Sequence, residues 1–119
     1  MAAIFAAFCH DYKHDGFSNT YHAAIQSERF KDHGAEGLQE KFHFAESWKV
    51  VERIKMLEDL PGGENAQWLF KRRMMSCILA TDMSKHMTDL IKLKNFINGL
   101  KDGQSILDTE EIDSVTPEE

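Results

Sequence analysis

Only two prolines and two cysteines occur in 119 residues, and no long apolar run is present. Each shortage excludes something. The two cysteines, Cys9 and Cys77, lie in apolar stretches without the paired spacing of a zinc knuckle. They cannot staple a small secreted scaffold, and they read as buried free thiols of a reducing compartment, with one disulfide between them as the weaker alternative. The longest apolar segment, Met1 to Cys9, is too short to span a membrane and lacks the basic lead-in of a secretory signal. It runs straight into His10-Asp11, so it reads as the buried end of a helix in a soluble, cytoplasmic protein with no membrane-spanning segment. Positive charge is also short. Fourteen Lys and Arg stand against twenty Asp and Glu, a net charge of −6, which argues against nucleic acid as a partner. Strand-like alternation of apolar and polar residues is missing as well, which argues against a sheet-based fold.

What is present is helical periodicity. Ile4 and Phe8 share one face of a first helix, and Asp15-Gly16-Phe17-Ser18-Asn19 has the composition of a turn. A short helix is expected over Tyr21 to Phe30, then a loop from Asp32 to Gly37. Phe44, Trp48, Val51, Ile54, Leu57 and Leu60 recur at steps of three and four, up to Pro61-Gly62-Gly63. A further helix is expected from Glu64 to Leu79, with Trp68, Met75 and Leu79 inward. Thr81 and Asp82 then offer oxygens to cap a last helix carrying Met87, Leu90, Leu93, Ile97 and Leu100. The expected architecture is an all-α, multi-helix bundle over residues 1–103. Residues 104–119 form an acidic tail, expected to be disordered. Asp108, Glu110, Glu111, Asp113, Glu118 and Glu119 carry the charge excess there without a Lys or Arg. Lys71-Arg72-Arg73 reads as a solvated helix turn, the two tryptophans as core, and His22 and His33 as surface groups.

The densest polar cluster is His10-Asp11-Tyr12-Lys13-His14-Asp15. An imidazole and a carboxylate delivered together by an apolar helix suit a metal half-site, and a carboxylate with two oxygens can bridge two cations. Taken alone, the pair reads more readily as a capped helix end with a satisfied imidazole. His14 would share a face with His10 if the helix continued, and Gly16 argues that it does not continue far. For Asp82 and His86 the plain readings, an N-cap and a surface imidazole, are preferred.

The wider pattern outweighs that reading. His10-Asp11, His14, Gly16 and Asn19 give H-D-x-x-H-x-G-x-x-N, which resembles the signature of class I 3′,5′-cyclic-nucleotide phosphodiesterases. The block Leu79-Ala80-Thr81-Asp82-Met83-Ser84-Lys85-His86 is very similar to that family's L-A-T-D-M-S-K-H, at about the right distance. Between them the family's L-E-x-H-H-L-A is matched at Glu40 and His43, while Phe42 replaces the first histidine of the pair. The family usually has Pro or Thr where Asp15 stands, and its Tyr-Asn-Asp turn is absent at His33-Gly34-Ala35. The likeness covers roughly Ala2 to Leu100.

The resemblance implies the catalytic-domain fold of that family and hydrolysis of cAMP and/or cGMP to the 5′-monophosphate by a two-metal mechanism. It implies His10 and Asp11 as ligands of a first metal, usually zinc, with Asp11 bridging to a second, magnesium or manganese. His14, Glu40 and Thr81 would hold waters on the second metal, His14 would support catalysis, and Met83 would lie near the nucleotide pocket. It also implies further ligands and a general-acid histidine in family segments before and after the one seen here. On this reading the chain is an internal, truncated fragment that lacks part of the site, and the 119 residues alone are expected to be inactive. The alternative is an inactive helical module that acts only through protein–protein binding.

Overall fold

The computed structural model describes residues 1–101. The helices are α1 (Ala2–Cys9), α2 (Asn19–Ala24), α3 (Glu28–His33), α4 (Leu38–Arg53), α5 (Gly63–Leu79) and α6 (His86–Lys101), with a 3-10 turn at Met83–Lys85. No strand occurs among the described residues, as the all-α expectation requires. The described residues divide into two units, Met1–Met83 and a second that begins at Ser84. The expected acidic tail falls outside the described residues.

In the first unit α5 packs on both α1 and α4, and α3 packs on α4. Ala2 and Ala6 of α1 are buried, flanked by the half-buried Phe5 and Cys9. Ile4 and Phe8, the face suggested by the sequence, are 66% and 84% exposed. The small side chains turn inward because they let α1 approach the bulky row Phe70, Met74 and Ile78 of α5. That row also differs from the expected one. Trp68 and Met75 are 49% and 40% exposed, since a helix wedged between two neighbours buries its 70/74/78 stripe. Cations cover the tryptophan faces instead: the Lys71 ammonium lies 4.7 Å from the Trp48 ring centre, and the Arg72 guanidinium 5.3 Å from that of Trp68.

The expected single helix over Tyr21–Phe30 is two. Gln26 adopts φ 49°, which breaks the first, and Ser27 starts the second by accepting from the Phe30 amide at 3.2 Å. Ser18 caps α2 in the same way, accepting from the Tyr21 amide at 3.1 Å. α4 buries Leu38, Gln39, His43, Ser47 and Val51, with Phe44 and Trp48 packed partly against the core. It stops at Arg53 rather than running to Leu60, because Lys55 turns to φ 56°. Leu57 still reaches the core from the following turn, where its carbonyl accepts from Gln67 Nε2 at 2.9 Å.

His22, expected at the surface, is buried. Its ring joins Ser27 Oγ (2.9 Å) and the Asp15 carboxylate (3.2 Å), so the cost of burying an imidazole is met by two partners. Cys9 and Cys77 are free thiols. In the second unit α6 is the one described α-helix, and Leu90, on the apolar row expected to face inward, is 48% exposed. Among the described residues no helix is long and apolar enough to cross a membrane.

Candidate metal centre

The site grows from the end of α1. The helix stops at Cys9, and tight turns follow in which Tyr12 N donates to the Cys9 carbonyl and His14 N to that of Asp11, both at 3.0 Å. Lys13 adopts φ 60°, a left-handed conformation that non-glycine residues rarely take. The reversal brings Asp11 and His14 back onto α4. There the ligand atoms of Asp11, His14 and His43 all lie within 4.8 Å of one another. The His14 and His43 rings stack at 5.4 Å.

Hydrogen bonds fix the tautomers. His10 Nδ1 lies 2.8 Å from the Ala7 carbonyl, which can only accept, so Nδ1 carries a proton and Nε2 is the ring atom left for another partner. His10 Nε2 faces Asp11 Oδ2 at 3.2 Å, a pair that either a proton on the ring or a cation can bridge. His43 Nδ1 donates to the Tyr12 carbonyl at 2.7 Å, which likewise leaves Nε2 open. Burial lowers the His43 pKa and keeps the ring neutral, the form that binds metals. His14 is the opposite case. Its Nδ1 accepts the Gly16 amide at 2.8 Å, so its Nε2 bears hydrogen and donates rather than ligates. The donor set therefore fits a divalent cation held by carboxylate oxygen and imidazole nitrogen, with His14 beside it as a hydrogen-bond donor.

Asn19 ties the loop to α4. Its Oδ1 accepts the Gln39 amide (2.8 Å), one of the orphan donors of the helix start, and its Nδ2 donates to Glu40 Oε2 (2.9 Å). At Gly37 the start of α4 comes against the Leu79–Asp82 block. A methyl group on Gly37 would meet Leu79 Cδ2 at 3.6 Å, Asp82 Oδ2 at 3.8 Å and Glu40 Oε2 at 4.0 Å. Thr81 and His10 line one small cavity of about 290 Å³ with Ala3, Ala6, Ala7 and Cys77. The Thr81 hydroxyl spends its hydrogen on the Ile78 carbonyl at 2.7 Å and keeps its lone pairs. Met83 is 73% exposed at the end of the first unit. Asp82 is buried, and His86 is exposed on the second unit.

Asp15 and its partners lie next to this cluster. Burial works against its charge, yet donors from Gln39, the Phe17 amide and His22, with the Arg29 charge, outweigh it and hold the carboxyl at about 2. Sequence reasoning gave no role to His43, Gln39, His22 or Arg29. For His43 the signal was its match to the second histidine of L-E-x-H-H-L-A, three residues after Glu40 on the same helix face. For Arg29 none did.

The family model for 3′5′-cyclic nucleotide phosphodiesterase matches residues 1–116, so the chain belongs to that family. Among curated relatives, the Caenorhabditis elegans protein named probable 3′,5′-cyclic-AMP phosphodiesterase pde-4 is 34% identical over 103 residues, which is 85% of this chain and 15% of that protein. The 3′,5′-cyclic-AMP phosphodiesterase 4C of Rattus norvegicus is 36% identical over 104 residues, 85% of this chain and 19% of that one. The 3′,5′-cyclic-nucleotide phosphodiesterase regA of Dictyostelium discoideum is 29% identical over 102 residues, 84% of this chain and 13% of that one. The chain thus spans less than a fifth of the length of these relatives.

Proposed function

We propose that this chain supplies part of a metal-dependent site that hydrolyses a 3′,5′-cyclic nucleotide, cAMP and/or cGMP, to the 5′-monophosphate. The observation that carries the reading is the gathering of the Asp11, His14 and His43 ligand atoms within 4.8 Å of one another, with His10 Nε2 3.2 Å from the Asp11 carboxylate. His10 and Asp11 would hold a zinc ion, and Asp11 would share a magnesium or manganese ion. Bound there, the cations would lower the pKa of water and offset charge on the phosphoryl oxygens. His14, with hydrogen on Nε2, would donate to an oxygen next to Asp11, and Glu40 and Thr81 would accept from waters with their free lone pairs. Met83 would line the nucleotide pocket. The free thiols suit a reducing, cytoplasmic compartment.

The resemblance assigns only His10 and Asp11 of this chain to the first metal directly, where a zinc site takes three or four ligands. It also places the general-acid histidine in a family segment outside these 119 residues, a contribution of roughly 10²–10⁴-fold in rate. Turnover of cAMP and cGMP should be measured with magnesium and zinc, for this chain and for a polypeptide that adds the family's flanking segments. The longer polypeptide should be active and lose activity on Asp11→Ala, while the 119 residues should show negligible turnover. An active Asp11→Ala enzyme would overturn the reading. A second reading, a module that only binds other helices, is favoured by the exposed Ile4 and Phe8 on α1. An inactive longer polypeptide would support it.

A further inference from the structure

We propose that Arg29 is a positioning residue: it locks the left-handed turn at Lys13 that brings Asp11 and His14 together. The proposal rests on the metal reading above, but its geometry stands apart from it. A lysine at φ 60° reverts to a commoner conformation unless its neighbours hold it. Two side chains catch the carbonyls on either side of the reversal. His43 Nδ1 donates to the Tyr12 carbonyl at 2.7 Å, and Arg29 Nη2 donates to the Lys13 carbonyl at 3.2 Å.

Arg29 is itself fixed on every side. Its Nη1 donates to Gln39 Oε1 at 2.6 Å, and its Nη2 lies 3.3 Å from Asp15 Oδ2. Its guanidinium carbon sits 3.7 Å from the centre of the Phe42 ring. A flat, forked cation is the one side chain that can stack on an aromatic face while donating to several acceptors at its edge. Gln39 Nε2 closes the ring of contacts by donating to Asp15 Oδ1 at 3.0 Å. Asp15 and Phe42 are two of the positions at which the sequence departs from the phosphodiesterase pattern, and both touch Arg29. The departures are therefore joined. A carboxylate and an aromatic ring hold a guanidinium, and the guanidinium holds the turn between Asp11 and His14.

The test uses the 119-residue chain with Arg29→Ala and Phe42→Leu. Amide hydrogen exchange reports the turn without any metal, through the His14 amide bonded to Asp11 O and the Gly16 amide bonded to His14 Nδ1. Titration with Mn(II) reports the ligands. Arg29→Ala should raise exchange at both amides about tenfold or more, leave the core amides of Met74 and Ile78 protected, and weaken Mn(II) binding by about 10–100-fold. Phe42→Leu, which keeps apolar volume but removes the stacking face, should do the same by a few-fold. Unchanged exchange at His14 and Gly16 in either variant overturns the proposal. If Arg29→Ala loses protection at Met74 and Ile78 as well, it has unfolded, and Phe42→Leu alone decides. If the unaltered chain fails to bind Mn(II), the exchange data alone judge Arg29, and the metal reading is judged by Asp11→Ala in the longer polypeptide.

Discussion

Ile78 offers the sharpest test of how α1 is held. It is fully buried on the α5 stripe that meets Ala2 and Ala6, so Ile78→Ala removes three carbon atoms where no solvent can enter. At about 0.8 kcal/mol per buried carbon the transfer loss alone is about 2.4 kcal/mol. The cavity left behind raises the cost to about 3–4 kcal/mol, because alanines on the facing helix cannot swing in to fill it. A chain of this length has roughly 5–15 kcal/mol of net stability, so the change is a large fraction of the whole. Ile78→Val, which removes one carbon, should cost about 1 kcal/mol. The assay is urea unfolding followed by far-ultraviolet circular dichroism, with the midpoint read at constant slope. A loss below about 1 kcal/mol for Ile78→Ala would refute the packing argument, since such small losses belong to sites that collapse or are already exposed.

Glu46 makes a pH test. Hydrogen bonds from Lys13 (2.5 Å) and Lys49 (2.5 Å) pull its carboxyl down from 4.5 to about 2, so its contribution is complete above pH 4.5 and fades as the pH falls toward 2. Glu46→Gln should cost about 1 kcal/mol at neutral pH, discounted for the exposed lysines, and should flatten the stability profile across that window. Asn19→Ala removes both the cap on the Gln39 amide and the tether on Glu40, and should lower stability by about 1 kcal/mol in the same urea assay. Gly37→Ala places a side chain at φ 56° and should cost about 1 kcal/mol or more by differential scanning calorimetry.

The helices were legible because apolar spacing records which segments need cover, and the α5 span matched within a residue at its start. Which face turns inward was not legible. On α1 the sequence highlights Ile4 and Phe8, yet the alanines are buried, because burial there is decided by how closely a neighbour must approach. On α5 both the 68/75 and the 70/74/78 positions carry large apolar groups, so periodicity alone had no means of choosing. Of the site, the contiguous motif was readable and the contacts across the fold were not. The approach of His43 to Asp11 and His14 depends on a lysine in a left-handed turn, a conformation no local composition announces. The link from Arg29 to Lys13 joins residues sixteen apart through side chains that no spacing rule connects.

Gly37 has a consequence for how this stretch of chain can vary. It stands where the start of α4 comes against Leu79 and Asp82 at the end of α5, so the two helices form a hairpin whose open end is clasped there. The other end is the connection from Ile54 to Gly62, where Glu58, Asp59 and Pro61 are exposed. Lengthening that tip adds little closure entropy, about 0.6 kcal/mol per doubling. An insertion there would slide nothing at the clasp, and Gly37 would keep its place against the Leu79–Asp82 block. An insertion of equal length beside Gly37 would shift the register of Glu40 and His43 together. Drift in length is thus expected to collect at one end of the hairpin and to be purged at the other.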